Sequence, residues 1–110
     1  MPAESDADED AIQRVIANGS DQSKPMDIDF MIACDTVADA KKIIGPVESL
    51  GYSTSITEDP DDEAVTCYCS RNMMLDYAEI VLAQRELDRI AGEHNSFIDG
   101  WGTFGNAPDR

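Results

Sequence analysis

The side chains of this chain best suited to metal binding or nucleophilic chemistry are three cysteines and one histidine. Cys67 and Cys69 are two residues apart, which on a strand places both on one face with Cα atoms about 6.5 Å apart. A structural zinc site usually has four ligands in two close pairs, and only Cys34 and His94 remain for the second pair. We therefore expect buried, unreactive thiols, with no metal, no cofactor and no disulfide framework.

Catalysis has no specific support in the sequence. No serine or cysteine lies beside His94 in a catalytic context, and no glycine-rich phosphate loop is present. Carboxylates are numerous, but a sequence does not show two of them converging with separated pKa values. We predict that the chain is not an enzyme. The alternative is a small ligand-binding or enzymatic module, which a deep pocket holding His94 or converging carboxylates would favour.

The charge of the chain is strongly unbalanced, with 23 acidic residues against 8 lysines and arginines and a net charge of −15. The cations are scattered along the sequence, so we expect no direct binding to nucleic acid or to an anionic membrane. The acidity favours a basic protein partner because opposite charges steer encounter. The alternative interpretation is that the acidic residues only keep the protein in solution.

The sequence also predicts a location. Residues 1–10 are acidic and lack the basic start and apolar stretch of a signal peptide. No apolar run approaches the about 20 residues that span a bilayer. Free thiols persist in a reducing compartment, so we expect a cytoplasmic protein. The oligomeric state is not determined by the sequence.

Hydrophobic periodicity predicts the elements that position these residues. A first helix should run to about Asn18, with Ser5 or Asp6 as its cap. Residues 26–35 alternate with period two, which indicates a strand with one buried face. Two further strands, 52–57 and 64–71, are separated by an acidic turn at 58–63 and predict a hairpin.

Two more helices are predicted. Thr36 with Asp39 resembles a capping box at the start of a helix to Leu50, which Gly45-Pro46 should kink or split. Asn72 could cap a long helix over residues 73–94. A short strand over 97–104 completes the chain.

This order of elements predicts the fold. After the first helix it reads strand, helix, strand, strand, helix, strand. We expect an α+β, ferredoxin-like βαββαβ antiparallel sheet with both helices on one face, plus an extra N-terminal helix. The length is that of a single domain, which we place at 8–105, between a flexible acidic tail at 1–7 and a C-terminal tail at 106–110.

Candidate protein-binding residues lie on the sheet face that the helices leave open. Asp27 and Asp29 would pair with the guanidinium groups of an arginine-rich peptide, and Tyr68 would stack on one of them. A single aromatic among acidic residues is a poor platform for RNA. The alternative is a solvated face, or a face covered by the first helix.

The segment 99–103 supplies two further candidates. Trp101 is the only tryptophan and is flanked by glycines, which in a strand mark a bulge or a close backbone approach. Its ring could bind in an interface together with Asp99. Alternatively, the ring is part of the core and Asp99 accepts a hydrogen bond from a nearby backbone donor.

These residues also carry a family resemblance. The segment Ile98-Asp99-Gly100-Trp101-Gly102-Thr103-Phe104 resembles the YDGWGTYF-type signature of the RraB family, regulators of ribonuclease E activity, and Asn18-Gly19-Ser20-Asp21 resembles that family's G-x-D opening. The resemblance covers about residues 8–105. It implies a ferredoxin-like fold, no enzymatic activity, and inhibition of ribonuclease E through binding to the enzyme's basic C-terminal scaffold region, which alters RNA turnover.

Overall fold

The computed structural model describes residues 3–61, 64–103 and 105–106, with side chains from Asp8 onward. Three helices and a four-stranded antiparallel sheet confirm the α+β class. Parts of the predicted acidic turn (62–63) and of the predicted C-terminal tail (107–110) lie outside the described residues. In chain order the elements are α1 (Ala3–Ala17), β1 (Met26–Cys34), α2 (Val37–Glu48), β2 (Ser53–Asp59), β3 (Ala64–Met73), α3 (Tyr77–Gly92) and β4 (Ser96–Thr103).

Strand β1 is an inner strand of the sheet. The strand order is β2-β3-β1-β4, and each neighbouring pair is antiparallel. Ile28, Phe30 and Ile32 have no exposed surface, whereas Asp27, which precedes Ile28, is exposed and Asp29 and Met31 between them are half-buried. Because side chains alternate between the two faces, the burial of one face determines the register of the whole strand.

The helices cover only the buried face of the sheet. Helices α2 and α3 contact each other and the sheet, and Ile43 of α2 and Leu87 of α3 are fully buried. Helix α1 contacts α3 and buries Ile12 in the same core. In the described ranges, no helix lies on the opposite face, and none is long and apolar enough to cross a membrane.

The start of α2 is the predicted one. Thr36 Oγ1 accepts a hydrogen bond from the Asp39 backbone N–H at 3.1 Å, as an N-cap residue should. Pro46 lies inside α2, yet the helix continues to Glu48, so it is not split there. Pro46 is close to the end of the helix, and its missing N–H therefore removes only one helical bond from the last turn.

The start of α3 differs from the prediction. Asp76 is its N-cap, and its carboxylate accepts the Glu79 N–H at 3.1 Å. Met73 instead ends strand β3, with its side chain buried. The predicted cap at Asn72 is therefore wrong, because pairing with β1 and burial of Met73 extend the strand beyond the point where helical periodicity seemed to begin.

Helix α1 begins earlier than predicted. Its first residue is Ala3, so the helix includes part of the segment 1–7 for which the sequence predicted a tail. Ser5 and Asp6 consequently lie inside the helix and do not cap it. Its end at Ala17 agrees with the prediction to within one residue.

Thr36→Ala should lower the free energy of unfolding by about 1 kcal/mol, because it removes the acceptor for the Asp39 N–H. Thr36→Ser is the control, since it retains the hydroxyl and should unfold close to the wild type. Urea denaturation followed by circular dichroism measures both variants. Equal losses in the two variants would contradict a capping role for the hydroxyl.

Candidate protein-binding surface

The sheet face that the helices do not cover, here the open face, is defined by the strand register. Asp27 and Asp29 point to it because they alternate with the buried Ile28 and Phe30. Cross-strand partners share a face. The open face therefore comprises Ser53, Ser55 and Thr57 of β2, Thr66, Tyr68, Ser70 and Asn72 of β3, Asp27, Asp29, Met31 and Ala33 of β1, and Phe97, Gly100 and Gly102 of β4.

Two cross-strand hydrogen bonds orient the carboxylates of the open face. Asn72 Nδ2 donates to Asp27 Oδ1 at 3.0 Å, and Ser70 Oγ donates to Asp29 Oδ1. In both bonds the acceptor is the Oδ1 atom of the aspartate. Among the described residues, no donor forms a hydrogen bond with either Oδ2 atom. The guanidinium group of an arginine carries five N–H donors in a planar fork and matches such acceptors.

Two aromatic side chains lie on the same face as these carboxylates. Tyr68 is opposite Met31 in the register and is 36% exposed. Phe97 is opposite Ala33 and is 57% exposed. Large aromatic groups that stay exposed next to charged groups are typical of surfaces that bind a protein partner.

A bulge in β4 decides the direction of Trp101. The register with β1 shifts by one residue at Asp99, and Gly100 has a φ of +147°, a backbone conformation that favours glycine. One extra residue inverts the alternation of a strand. Trp101 consequently lies opposite Phe30 and faces the helices, away from the open face.

Trp101 of β4 is linked to α1 and α3 through the carboxylate of Asp8. Its indole Nε1 donates to Asp8 Oδ1 of α1 at 3.2 Å, and Gln84 Nε2 of α3 donates to Asp8 Oδ2 at 3.2 Å. The half-buried ring also packs against the core. This placement supports the structural role for Trp101 and shows that α1 lies on the helix side of the sheet.

Comparison with known protein families identifies the family of this chain. A family model described as regulator of ribonuclease activity B matches residues 5–103. The chain belongs to the regulator of ribonuclease activity B family. The match begins inside α1 and ends with β4, and it includes the motif at 98–103, so the resemblance in the sequence is confirmed. No curated protein matches the chain. The family's description supports a role in regulating a ribonuclease, and such a role suggests a protein partner.

In this regulator of ribonuclease activity B domain, three of the five predicted binding residues lie on the open face, one lies beside it and one lies on the helix side. Asp27, Asp29 and Tyr68 lie together on the open face, which α1 does not cover. Asp99 is exposed at the bulge of β4, beside that face. Trp101 lies on the helix side. Participation of any of the five in binding stays a prediction.

Sequence reasoning missed two residues that the structure makes prominent. Phe97 is exposed on the open face, and the alternation of Phe97 with the inward Ile98 was the signal that could have identified it. Asp8 was one of several acids in a charged N-terminal stretch. Its partner Trp101 is 93 positions away, and no local pattern reports such a contact.

Two of the three cysteines of this family member are buried as predicted. Cys67 and Cys69 have no exposed surface, and Cys34 is half-buried. Burial raises the pKa of the Cys34 thiol. The hydrogen bond between Cys67 and Cys69, together with burial, raises the pKa of Cys69, and the same hydrogen bond lowers the pKa of the fully buried Cys67. Thiols with a raised pKa remain protonated at neutral pH and are poor nucleophiles. Within the described ranges, no three ligand side chains form a cluster that could hold a metal.

A surface cleft of about 840 Å³ lies between the loop before β1 and the start of α3. Two of its three carboxylates have structural partners: Asp76 caps α3, and Asp21 accepts hydrogen bonds from the N–H and Oγ of Ser23. Those bonds lower the pKa of Asp21, whereas a general acid needs a raised pKa. His94 does not line the cleft, so its geometry does not favour the enzymatic alternative.

Asp8→Ala should lower the free energy of unfolding by about 1–3 kcal/mol, because both the Trp101 indole and the Gln84 amide lose their acceptor. Fluorescence of the single tryptophan follows unfolding directly. Glu9→Ala is the matched control, since Glu9 is exposed in the same helix and carries the same charge. The assigned role of Asp8 would be excluded if both variants unfolded at the same urea concentration.

Proposed function

We propose that this family member regulates a ribonuclease, without catalysis of its own, by binding a basic segment of that enzyme on the open face. The observation that carries the proposal is the placement of Asp27, Asp29 and Tyr68 together on the face without helices. Each carboxylate is oriented by one hydrogen bond and has a second oxygen available. Charge-assisted hydrogen bonds to such oxygens are about twice as strong as neutral ones.

The charge of the whole chain supports the same kind of partner. A net charge of −15 attracts a cationic polypeptide over a distance of about one Debye length and accelerates its encounter. The basic scaffold region of ribonuclease E, which the family resemblance suggests, has the required sign of charge. We propose that region as the partner and the cytoplasm as the compartment.

The composition of the open face argues against direct binding to RNA. None of its members on the described strands is a lysine or an arginine. Arg71, the cation on β3, lies on the helix side with its guanidinium carbon 4.5 Å from the ring centroid of Tyr52. A face with carboxylates and no cations repels a phosphate backbone. The regulation we propose therefore acts on the enzyme and not on its RNA substrate.

We also propose that the fold is ferredoxin-like. The supporting observations are the βαββαβ order of elements after α1 and the strand order β2-β3-β1-β4, in which each βαβ half is split by an inserted strand.

Asp27→Asn combined with Asp29→Asn should weaken binding to the basic ribonuclease E scaffold about tenfold or more, since each lost charge-assisted hydrogen bond is worth about 1.5–3 kcal/mol. Asparagine keeps the acceptor oxygens for Asn72 and Ser70, so the fold should be preserved. Isothermal titration calorimetry at low and physiological salt measures the affinity.

The matched control is Glu9→Gln combined with Asp10→Asn, which changes the net charge equally at two exposed positions of α1. It should retain most of the affinity. Equal weakening by both pairs would show that the open face is not the binding surface. Absence of binding by the wild type at every salt concentration would exclude this scaffold as the partner.

A further inference from the structure

One strip of the open face has no side chains at all. Gly102 lies opposite Asp29, and Gly100 lies opposite Met31. A Cβ on Gly102 would meet no atom within 4 Å, and one on Gly100 would meet only Met31 Cε at 4.0 Å. We call this backbone of Gly100 and Gly102, which is half-buried beside the Asp29 and Met31 side chains of β1, the glycine strip.

The glycine strip matches the shape and chemistry of an arginine side chain. A guanidinium group is planar and weakly hydrated, so it can lie flat on peptide groups that no side chain covers while it donates to a carboxylate at its edge. Asp29 Oδ2 is adjacent to the strip and lacks a donor among the described residues. A lysine ammonium group is a compact, strongly hydrated point charge and gains little from a flat surface.

Apolar groups continue the surface beyond the strip. Ala33 follows Asp29 on β1 by about 13 Å at the usual rise of a strand. The exposed Phe97 lies opposite Ala33, and the exposed Tyr68 lies opposite Met31. A partner whose arginine occupies the strip would therefore bring its next residues against apolar and aromatic groups.

We propose that the glycine strip binds an arginine of the partner and that Phe97 and Tyr68 bind an apolar side chain next to that arginine. This inference rests on the proposed function and specifies what the open face recognises: a segment that combines arginine with apolar residues. Charge complementarity determines the choice of occupant. A second copy of the chain would bring its own Asp27 and Asp29 to the interface, and like charges oppose such pairing.

Gly102→Val is the decisive variant because it fills the strip without changing any charge. Gly102 is not among the glycines with positive φ, and a Cβ there meets open space, so the strand should accept a β-branched residue. Ser53→Val is the control. It adds an apolar side chain to the same face, three strand spacings or about 14 Å from Gly102.

The probes are two synthetic peptides of equal length and charge, one of arginine, leucine and serine and the other with every arginine replaced by lysine. The wild type and Ser53→Val should bind the arginine peptide at least about fivefold more tightly than the lysine peptide. Gly102→Val should weaken binding of the arginine peptide about tenfold and remove the difference between the peptides. Equal affinity of the wild type for both peptides, or unchanged binding by Gly102→Val, would overturn the inference.

Two further measurements separate the possible failures. Should Gly102→Val unfold, Gly102→Ala narrows the strip with less bulk and should weaken arginine binding by a smaller factor; unchanged binding would count against the strip. The ribonuclease E scaffold is then titrated into the same variants. If Gly102→Val does not alter scaffold binding, the proposed function is retained, but the glycine strip is excluded as the arginine-binding site. If Gly102→Val weakens arginine-peptide binding but no variant binds the scaffold, the glycine strip is retained as an arginine-binding site. The ribonuclease E scaffold is then excluded as the partner.

Discussion

The burial of one side of β1 beneath α2 and α3 is the constraint on which the rest of the molecule depends. Ile28, Phe30 and Ile32 have no exposed surface, and strict alternation therefore forces Asp27 and Asp29 to the opposite face. A slip of one residue would bury both carboxylates and expose the three apolar side chains, at a cost of several kcal/mol. The acidic open face is thus a direct consequence of how the core is built.

The bulge at Asp99 assigns separate roles to the residues of the family motif. Gly100 supplies the backbone conformation that the bulge requires, and the extra residue turns Trp101 towards Asp8 and the helices. Gly102 then returns to the open face without a side chain. A single short segment therefore both joins the edge strand to the helix layer and leaves backbone without side chains beside Asp29.

Local patterns predicted what depends on local physics. The alternation of residues 26–35 identified β1 and the carboxylates on its open face, and the hydroxyl of Thr36 identified the start of α2. Features determined by distant contacts were not predictable: the continuation of β3 to Met73 depends on pairing with β1, and the role of Asp8 depends on a residue at the other end of the chain. The bulge was suggested by the glycines, but its effect on the direction of Trp101 required the register.

Titration of the ¹⁵N-labelled chain with the basic scaffold segment of ribonuclease E, followed by two-dimensional NMR, tests the central claim most directly. We predict that the amide signals of Asp27, Asp29, Tyr68 and Gly102 shift together and saturably, while the indole N–H signal of Trp101, hydrogen-bonded to Asp8 on the helix side, changes little. Shifts concentrated on α1 and α3 with the open face unperturbed would contradict the account.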